Sequence, residues 1–289
     1  MLYPTSRAWR NAPEKHACLF AMSGLGKTHV SNILRDGGNW FHYSVDYRIG
    51  TRYMDEHIAD NFKAEAMKNP FLRALLMSDS IYVESNITFD NLAPLSTYLG
   101  KPGDAAKGGL SFAEYQRRQA LHHDAERAAT LDAIRFIDRA KALYGYPNFI
   151  CDTSGSLCEI VDGNDRVDAV LAALAQHMLL VWIEGDEAHL TKLTDRFDRD
   201  PKPMYYQRPF LEKAWADYRG ETGEAEAEVD PDAFIRWTYA KALAHRQPRY
   251  AAMARWGVTI SGADFETITS EADFIDLIAQ AIDNRAAPA

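Results

Sequence analysis

Apolar residues fall into five short runs, and most of the chain between these runs has helical spacing. The runs predict five β-strands, which lie at residues 16–22, 40–45, 148–151, 178–183 and 257–260. Helical spacing follows in the stretches 27–34, 167–177, 189–197, 234–255 and 272–282. Because short apolar strands alternate with helices, the pattern predicts a parallel sheet with helices on both faces.

The second and third predicted strands are separated by a long block that is mostly helical in pattern. Within it, residues 91–109 contain two prolines and four glycines, which predict a loop. The block is too long for a simple crossover, so we expect a helical insertion at residues 55–145 that binds a substrate or a partner. Residues 1–54 and 146–289 then form the core domain.

Composition narrows the class of protein. With 289 residues, 47% of them hydrophobic and 25% charged, the chain is expected to fold as a globule with a sizeable core. A net charge of -9 gives no basic surface for duplex DNA or an anionic membrane, although a local basic cleft stays open. We find no signal peptide and no run of about 20 apolar residues, so we expect a cytoplasmic protein without a membrane span.

Cysteine and histidine spacing does not predict a metal site. The three cysteines include no C-x-x-C pair, which argues against a zinc site or a disulfide framework. His122 and His123 lie in a polar helical stretch without a partner at ligand spacing, so we expect both at the surface.

The clearest motif is AMSGLGKT at residues 21–28, which departs from G-x-x-x-x-G-K-[ST] only in its first residue, Ala21. In a phosphate-binding loop, backbone N–H groups and the following helix N-terminus hold the phosphates. Lys27 would reach the β- and γ-phosphates of ATP, and the Thr28 hydroxyl would ligate Mg²⁺. The residues predicted to bind the nucleotide are Met22, Ser23, Gly24, Leu25, Gly26, Lys27, Thr28 and His29.

Ala21 does not by itself argue against nucleotide binding. The first glycine mainly serves the turn out of the strand, so alanine is acceptable if it keeps a negative φ. The alternative is a chance G-x-G-K-T on a turn. A predicted strand before the motif and a helix after it favour nucleotide binding.

Two aspartates follow predicted strands, and ligands in such folds sit at the carboxyl ends of the strands. Asp152 closes the third strand, which suits an acid that supports Mg²⁺ through water; the alternative is a cap of the Asp-Thr-Ser-Gly turn. Asp46 follows the second strand, where it could bind or deprotonate a substrate hydroxyl. Its alternative role is the N-cap of the residues that follow.

Four arginines are candidates for binding an anionic group of a substrate. Arg48 and Arg52 lie close behind Asp46, where either could form a bidentate contact. Arg246 and Arg249 belong to the motif R-x-P-x-Y, whose proline is expected to bend the chain and let both face the substrate cleft. For Arg48 and Arg52, the alternative is an ordinary position at the surface.

Arg196 and Arg199 follow the fourth strand and its helix, on a segment that contains two prolines. Arginines on a movable flap can neutralise charge on a transferring phosphoryl group while closure excludes water. We therefore regard these two as candidate catalytic residues beside Lys27 and Asp46. A solvated basic turn is the alternative.

Taken in order, these motifs resemble the shikimate kinase and gluconate kinase branch of the nucleoside-monophosphate-kinase-like P-loop kinases. The matching pieces are the MSGLGKT loop, Asp46, the lid-like segment 196–203 and the motif at 246–250. The resemblance implies an αβα sandwich with a five-stranded parallel sheet ordered 2-3-1-4-5, an arginine-bearing lid, ATP with Mg²⁺, and transfer to a small-molecule hydroxyl.

Three departures limit what the resemblance implies. Ala21 replaces the first loop glycine, and the glycine-rich substrate motif of shikimate kinases is absent, with DTSGS at 152–156 as its nearest counterpart. The insertion at 55–145 is also much longer than the usual substrate-binding segment. Specificity for shikimate is therefore not carried over.

The sequence as a whole predicts an ATP-dependent phosphotransferase that acts on a hydroxyl of a small metabolite, with an anionic acceptor favoured by the arginines. A second hypothesis is a P-loop ATPase with a regulatory or assembly role, whose insertion binds a protein partner. A third is a kinase of a nucleotide-sugar or a nucleic-acid end, similar to zeta-toxin-like or polynucleotide kinases. The acidic net charge argues against a nucleic-acid partner.

Overall fold

The computed structural model of the chain describes residues 2–285. The strands are β1 (His16–Phe20), β2 (Trp40–Ser44), β3 (Asn148–Asp152), β4 (Leu179–Glu184) and β5 (Val258–Ser261). The helices are α1 (Ser6–Asn11), α2 (Lys27–Asp36), α3 (Val45–Arg48), α4 (Asp55–Ala66), α5 (Pro70–Met77), α6 (Ala93–Leu99), α7 (Phe112–Tyr144), α8 (Leu157–Ile160), α9 (Ala169–His177), α10 (Glu187–Arg199), α11 (Arg208–Thr222), α12 (Pro231–Ala254), α13 (Gly262–Phe265) and α14 (Glu271–Asp283).

The five strands form one parallel sheet in the order β2-β3-β1-β4-β5. The central strand β1 pairs with β3 on one side and β4 on the other, so that Cys18 lies opposite both Cys151 and Leu180. Strand β3 is buried throughout, and β1 is buried after its first residue. Burial on both faces explains why the strands appear as continuous apolar runs instead of alternating patterns. The predicted αβα sandwich and its strand order are confirmed.

The register of the sheet brings the carboxyl ends of three strands to one level. Leu19 of β1 pairs with Asp152 of β3, and Ser44 of β2 pairs with the same aspartate. Strand β1 ends at Phe20, earlier than predicted, because the residues after it already belong to the loop. The candidate loop and Asp152 therefore lie at the edge of the sheet where ligands bind in such folds.

The chain divides into two compact units. Of the described residues, the first unit contains 2–45, 126–201 and 236–285, and the second contains Asp46–Ala125 and Lys202–Ile235. This division differs from the predicted boundaries mainly because residues 202–235, expected in the core, pack with the helices of the insertion. Helix α7 contributes its first residues to the second unit and the remainder to the first.

Aromatic contacts hold the second unit together. Phe112 stacks on Trp215 with ring centroids 4.7 Å apart, and Trp215 meets Phe234 edge-on at 4.9 Å. Each such aromatic pair contributes about 0.5–1.5 kcal/mol beyond the area that it buries. The stretch predicted as a loop includes helix α6, because Pro94 occupies its first turn, where a missing N–H is harmless.

Helix α7 corrects one expectation about the histidines. His122 is only 4% exposed, and its ring stacks on Tyr205, so the prediction that it lies at the surface was wrong. Its polar neighbours along the helix hid this contact, which residues far along the chain provide. Across residues 2–285, no helix is long and apolar enough to cross a bilayer.

Candidate active site

The candidate phosphate-binding loop joins β1 directly to α2. Gly24 has φ +94° and Gly26 has φ +80°, a region that residues with a Cβ atom rarely adopt. Gly26 is also the N-cap of α2, so the loop turns straight into the helix. Asp79 is the one non-glycine residue in the described part of the chain with a positive φ, so Ala21 keeps a negative one. The condition under which alanine can replace the first glycine is therefore met.

The first turn of α2 offers backbone N–H groups to an anion. The helix begins at Lys27, and its N-cap residue, Gly26, has no side chain to bond the first N–H groups. Unpaired N–H groups and the positive end of the helix dipole together make such an end a ready binding site for phosphate. The residues predicted to contact the nucleotide, 22–29, form this loop and this turn.

The Lys27 side chain lies along the loop. Its ammonium group donates hydrogen bonds to the carbonyl oxygen atoms of Ala21 at 3.1 Å and Met22 at 3.4 Å, and the residue is buried. Because a buried ammonium must keep hydrogen-bond partners, these carbonyls hold the charge at the loop. The ammonium group therefore lies at the loop, and its contact with the phosphates of a nucleotide stays a prediction.

Thr28 and Asp152 meet at the strand ends. The Thr28 hydroxyl donates a 2.6 Å hydrogen bond to Oδ2 of Asp152, which is 4% exposed. Nε2 of His42 lies 3.7 Å from the same oxygen. Hydroxyl and carboxylate oxygens are ligands that Mg²⁺ accepts, and protein sites usually supply only one or two of them because phosphates and water complete the shell. The pair fits the predicted magnesium site.

The segment after Asp152 forms a wall against the loop. Thr153 donates its hydroxyl hydrogen bond to the Leu19 carbonyl at 2.8 Å. Gly155 packs so closely on Ser23 that an added Cβ atom would lie 2.8 Å from the Ser23 backbone nitrogen. Real Cβ atoms essentially never approach that closely, so either the loop or the wall would have to shift. A glycine is required at this contact.

A buried carboxylate anchors this wall. Glu126 of α7 is fully buried and accepts hydrogen bonds from the hydroxyls of Ser154 and Ser156, the latter at 2.8 Å. A buried carboxylate needs such donors, since burial without partners is costly. Nothing in the sequence pattern indicated Glu126, which lies in a long polar helix.

Arg246 of α12 also supports the segment that follows Asp152. The residue is 3% exposed, and its guanidinium donates to Glu159 at 2.8 Å and to the Gly155 carbonyl at 3.2 Å. The Tyr250 hydroxyl also donates to the Gly155 carbonyl, at 2.7 Å. Burial by itself raises the pKa of Glu159, but Arg246 and His245 outweigh it and lower that pKa to about 2. The pair is therefore an ion pair at neutral pH.

The predicted substrate arginines of α12 contact the protein itself. Arg249 donates to the backbone carbonyls of Cys158 at 2.7 Å and Val161 at 3.1 Å. Pro248 lies inside α12, which continues to Ala254, instead of separating two elements. These contacts account for Arg246 and Arg249 without a ligand, and their binding to a substrate stays a prediction.

Helix α10 carries the two candidate lid arginines. Arg196 and Arg199 are exposed in its last turn. The side chain of Leu193 lies over the loop, since a Cβ atom added to Gly24 would be 2.5 Å from its Cδ2 atom. Phe197 stacks on Tyr239 with ring centroids 3.8 Å apart, which fixes the end of the helix. The catalytic role of the arginines stays a prediction.

Asp46, Arg48 and Arg52 belong to the second unit. Asp46 comes two residues after the end of β2 and lies inside α3, half-buried, so it is not the N-cap of that helix. Arg48 lies over the ring of Tyr53, 5.7 Å from its centroid, and Arg52 is exposed. Their roles at a substrate stay predictions.

The strand order and the glycine loop between β1 and α2 together decide the fold. The chain has a P-loop kinase fold. Comparison with protein-family models gives no match, and comparison with curated proteins gives none. A crystal structure of shikimate kinase from Bacteroides thetaiotaomicron is similar with a TM-score of 0.36 and 12% identity, covering 93% of this chain and 94% of that one. The fold assignment rests on the sheet and the loop.

Proposed function

We propose that this protein is an ATP-dependent phosphotransferase that transfers a phosphoryl group to a hydroxyl of a small anionic metabolite. The observation that carries the proposal is the hydrogen bond between Thr28 and Asp152, made beside Lys27 at the carboxyl ends of the strands. A cation, a hydroxyl and a carboxylate at one phosphate-binding loop are the groups that handle Mg-ATP in P-loop kinases.

Each group has a distinct part in the proposed reaction. The loop N–H groups and Lys27 would bind the β- and γ-phosphates, while Thr28 and Asp152 would hold Mg²⁺, which offsets the charge of the phosphates. Asp46 would orient the acceptor hydroxyl or accept its proton. Arg196 or Arg199 would stabilise the charge that develops on the transferred group.

The anionic character of the acceptor rests on arginines outside the loop. Arg48 and Arg52 follow Asp46 within one helical segment, so a substrate bound by Asp46 would have a guanidinium close by. Guanidinium groups bind carboxylates and phosphates by paired hydrogen bonds.

One observation favours the second hypothesis, an ATPase that acts through a protein partner. Helix α5 has no buried residue, and Phe71 is 70% exposed, Met77 71% and the nearby Tyr82 83%. Large apolar side chains grouped at a surface are typical of protein interfaces. Residues 70–82 lie in the predicted insertion, as that hypothesis expects. The third hypothesis, a kinase of a nucleotide-sugar or nucleic-acid end, gains no such support.

A phosphate-transfer assay separates these functions. The full chain is incubated with γ-labelled ATP, Mg²⁺ and fractions of a metabolite extract, with Lys27→Ala as the blank and Lys68→Ala, an exposed lysine, as the matched control. Labelled product that requires a metabolite supports the kinase. Turnover that occurs without a metabolite and rises with an added protein supports the ATPase. Equal activity of Lys27→Ala and wild type would refute both.

A further inference from the structure

The second unit contains a cavity that the proposed reaction does not use. It lies between one face of α7 and residues 205–211, which include the first turn of α11. Its volume is about 550 Å³. Small-molecule sites in proteins have volumes of about 300–1,000 Å³. All residues that line it belong to the second unit, whereas the phosphate-binding loop belongs to the first.

One face of α7 forms the first wall of this cavity. Its lining residues lie at positions 113, 116, 117, 119, 120, 123 and 124, and their spacing of three and four marks one side of a helix. Two of them, Ala113 and Ala120, have small side chains. Longer side chains at these two positions would fill the space, so the alanines leave the cavity open.

Buried hydrogen bonds fix the opposite wall. The Gln119 side chain donates to the Met204 carbonyl at 3.0 Å and accepts from the Tyr206 backbone N–H at 2.8 Å. The Tyr115 hydroxyl donates to the same Met204 carbonyl at 3.2 Å. Because a buried amide paired at both ends fixes the segment that it holds, the cavity has a defined shape without a ligand.

Tyr205 is an aromatic residue among those that line the cavity. Its ring stacks on His122 with centroids 4.9 Å apart and planes 22° from parallel. Burial lowers the pKa of His122 to about 3, so that ring stays neutral at physiological pH and packs as an aromatic group. The position of Tyr205 is therefore set by packing on its far side.

Two arginines and one aspartate, Asp124, line the cavity, and each arginine pairs with a glutamate on its own helix. Arg117 forms two hydrogen bonds to Glu114, at 2.7 and 2.8 Å, and Arg208 forms one to Glu212 at 2.8 Å. These pairs orient the two guanidinium groups. A guanidinium has five N–H donors, so both keep donors for another anion.

We propose that this cavity binds a small molecule with a flat apolar body and one anionic group, such as a carboxylate, a sulfonate or a phosphate ester. The body packs against Tyr205 and the alanines, and the anionic group accepts hydrogen bonds from Arg117 and Arg208. Binding at this site does not require the proposed kinase reaction, because no residue of the phosphate-binding loop lines the cavity.

The test measures binding of naphthalene-1-sulfonate to the full chain by isothermal titration calorimetry. Two comparison compounds each keep one feature of the proposed ligand. Neutral naphthalene-1-sulfonamide keeps the flat apolar body, and inorganic sulfate keeps the anionic group. We expect one saturable site for the sulfonate, with at least about tenfold weaker binding of either comparison compound. Absence of saturable sulfonate binding, or equal affinity for sulfate, would overturn the proposal.

Two cavity variants locate the site. Ala120→Trp fills the cavity, with Ala64→Trp as the exposed control on α4. Arg208→Gln removes an exposed charge without affecting the core, with Arg73→Gln as its control on α5. Each cavity variant should weaken sulfonate binding about tenfold or more, while both controls bind like wild type. Wild-type affinity in either cavity variant contradicts the proposal.

The Lys27→Ala protein separates this inference from the proposed function. It should bind the sulfonate with wild-type affinity whether or not the chain is a kinase. Loss of sulfonate binding in Lys27→Ala would place the ligand at the phosphate-binding loop and overturn the cavity site.

Discussion

The Thr28 hydroxyl donates a 2.6 Å hydrogen bond to the buried carboxylate of Asp152, and this contact joins the start of α2 to the end of β3. A hydroxyl and a carboxylate oxygen are the kinds of group that Mg²⁺ accepts as ligands, and under the proposed function both would hold the ion. The bond also ties the loop to the strand whose end forms one wall of the site.

The first prediction concerns the metal. Asp152→Asn keeps the shape of the side chain but removes its charge, so the Mg²⁺ concentration for half-maximal ATP turnover should rise roughly 10- to 100-fold. Thr28→Val should have a similar effect, because it removes the hydroxyl ligand. Thr28→Ser is the control, since it keeps the hydroxyl. An unchanged Mg²⁺ dependence in Asp152→Asn would exclude this carboxylate from the metal site.

The second prediction concerns the contact between Gly155 and Ser23. Gly155→Ala should lower the free energy of unfolding by about 1–3 kcal/mol and weaken ATP binding, because the new methyl group displaces the loop. Gly220→Ala is the control, since no atom lies within 4 Å of a Cβ added there. In helix α11 that change should stabilise by up to ~1 kcal/mol. Urea unfolding measures the free energy of unfolding, and nucleotide titration measures the ATP affinity. Wild-type ATP affinity in Gly155→Ala would contradict the prediction.

The third prediction concerns the role of Arg246. If it supports the wall, Arg246→Met should cost about 3–5 kcal/mol of stability, because it leaves the Glu159 carboxylate buried without its cation. The double variant with Glu159→Gln should recover part of that loss. A substrate-binding arginine would behave differently. In that case the acceptor KM would rise while the unfolding free energy stayed at the wild-type value.

The fourth prediction is a dependence of stability on pH. The folded-state pKa of Glu159 is about 2, below its ordinary value of 4.5. A carboxyl group with a lowered pKa stabilises the fold above its unfolded pKa, and that contribution is lost as pH falls from about 4.5 towards about 2. The difference in pKa corresponds to ~3 kcal/mol. Urea unfolding from about pH 6 to about pH 3 should therefore show a shallower loss in Glu159→Gln than in wild type. If the unfolding free energies of wild type and Glu159→Gln fell in parallel with pH, the ion pair of Glu159 with Arg246 would add no pH dependence to stability.

The fifth prediction separates acceptor chemistry from nucleotide binding. Asp46→Asn should lower kcat about 100-fold while ATP affinity stays near that of wild type, because general-base assistance acts on the acceptor hydroxyl. Asp55→Asn, an exposed aspartate in the first turn of α4, is the matched control. An equal loss of turnover and ATP affinity would remove Asp46 from the acceptor side.

The geometry of the loop and its neighbour Asp152 could be predicted because the signals for it are local in the chain. Glycine, lysine and threonine positions in the loop follow from one motif, and Asp152 follows from the end of an apolar run. Parallel strands bring their carboxyl ends to one edge, so the pairing of Thr28 with Asp152 was a consequence of the fold.

The residues that support the loop could not be predicted in this way. Glu126 lies in a long polar helix, and only tertiary packing reveals that two serines near residue 155 enclose it. For Arg246, the sequence motif pointed to a substrate, whereas its nearest carboxylate, Glu159, is 87 residues away along the chain. Local patterns carry no information about such partners.

The Ala21 carbonyl accepts a hydrogen bond from Lys27 at 3.1 Å, and the Tyr250 hydroxyl, which donates its one proton to the Gly155 carbonyl at 2.7 Å, lies 3.3 Å from the same Ala21 oxygen. When the Lys27 ammonium group turns to a phosphate, the buried Ala21 carbonyl loses its hydrogen bond from Lys27 but still has a second donor within reach. The Tyr250 proton can rotate to it, because the Gly155 carbonyl keeps its bond from Arg246. The Ala21 carbonyl can thus keep a donor when Lys27 turns to a nucleotide, which avoids for this acceptor a desolvation penalty of about 1–3 kcal/mol that would otherwise weaken binding.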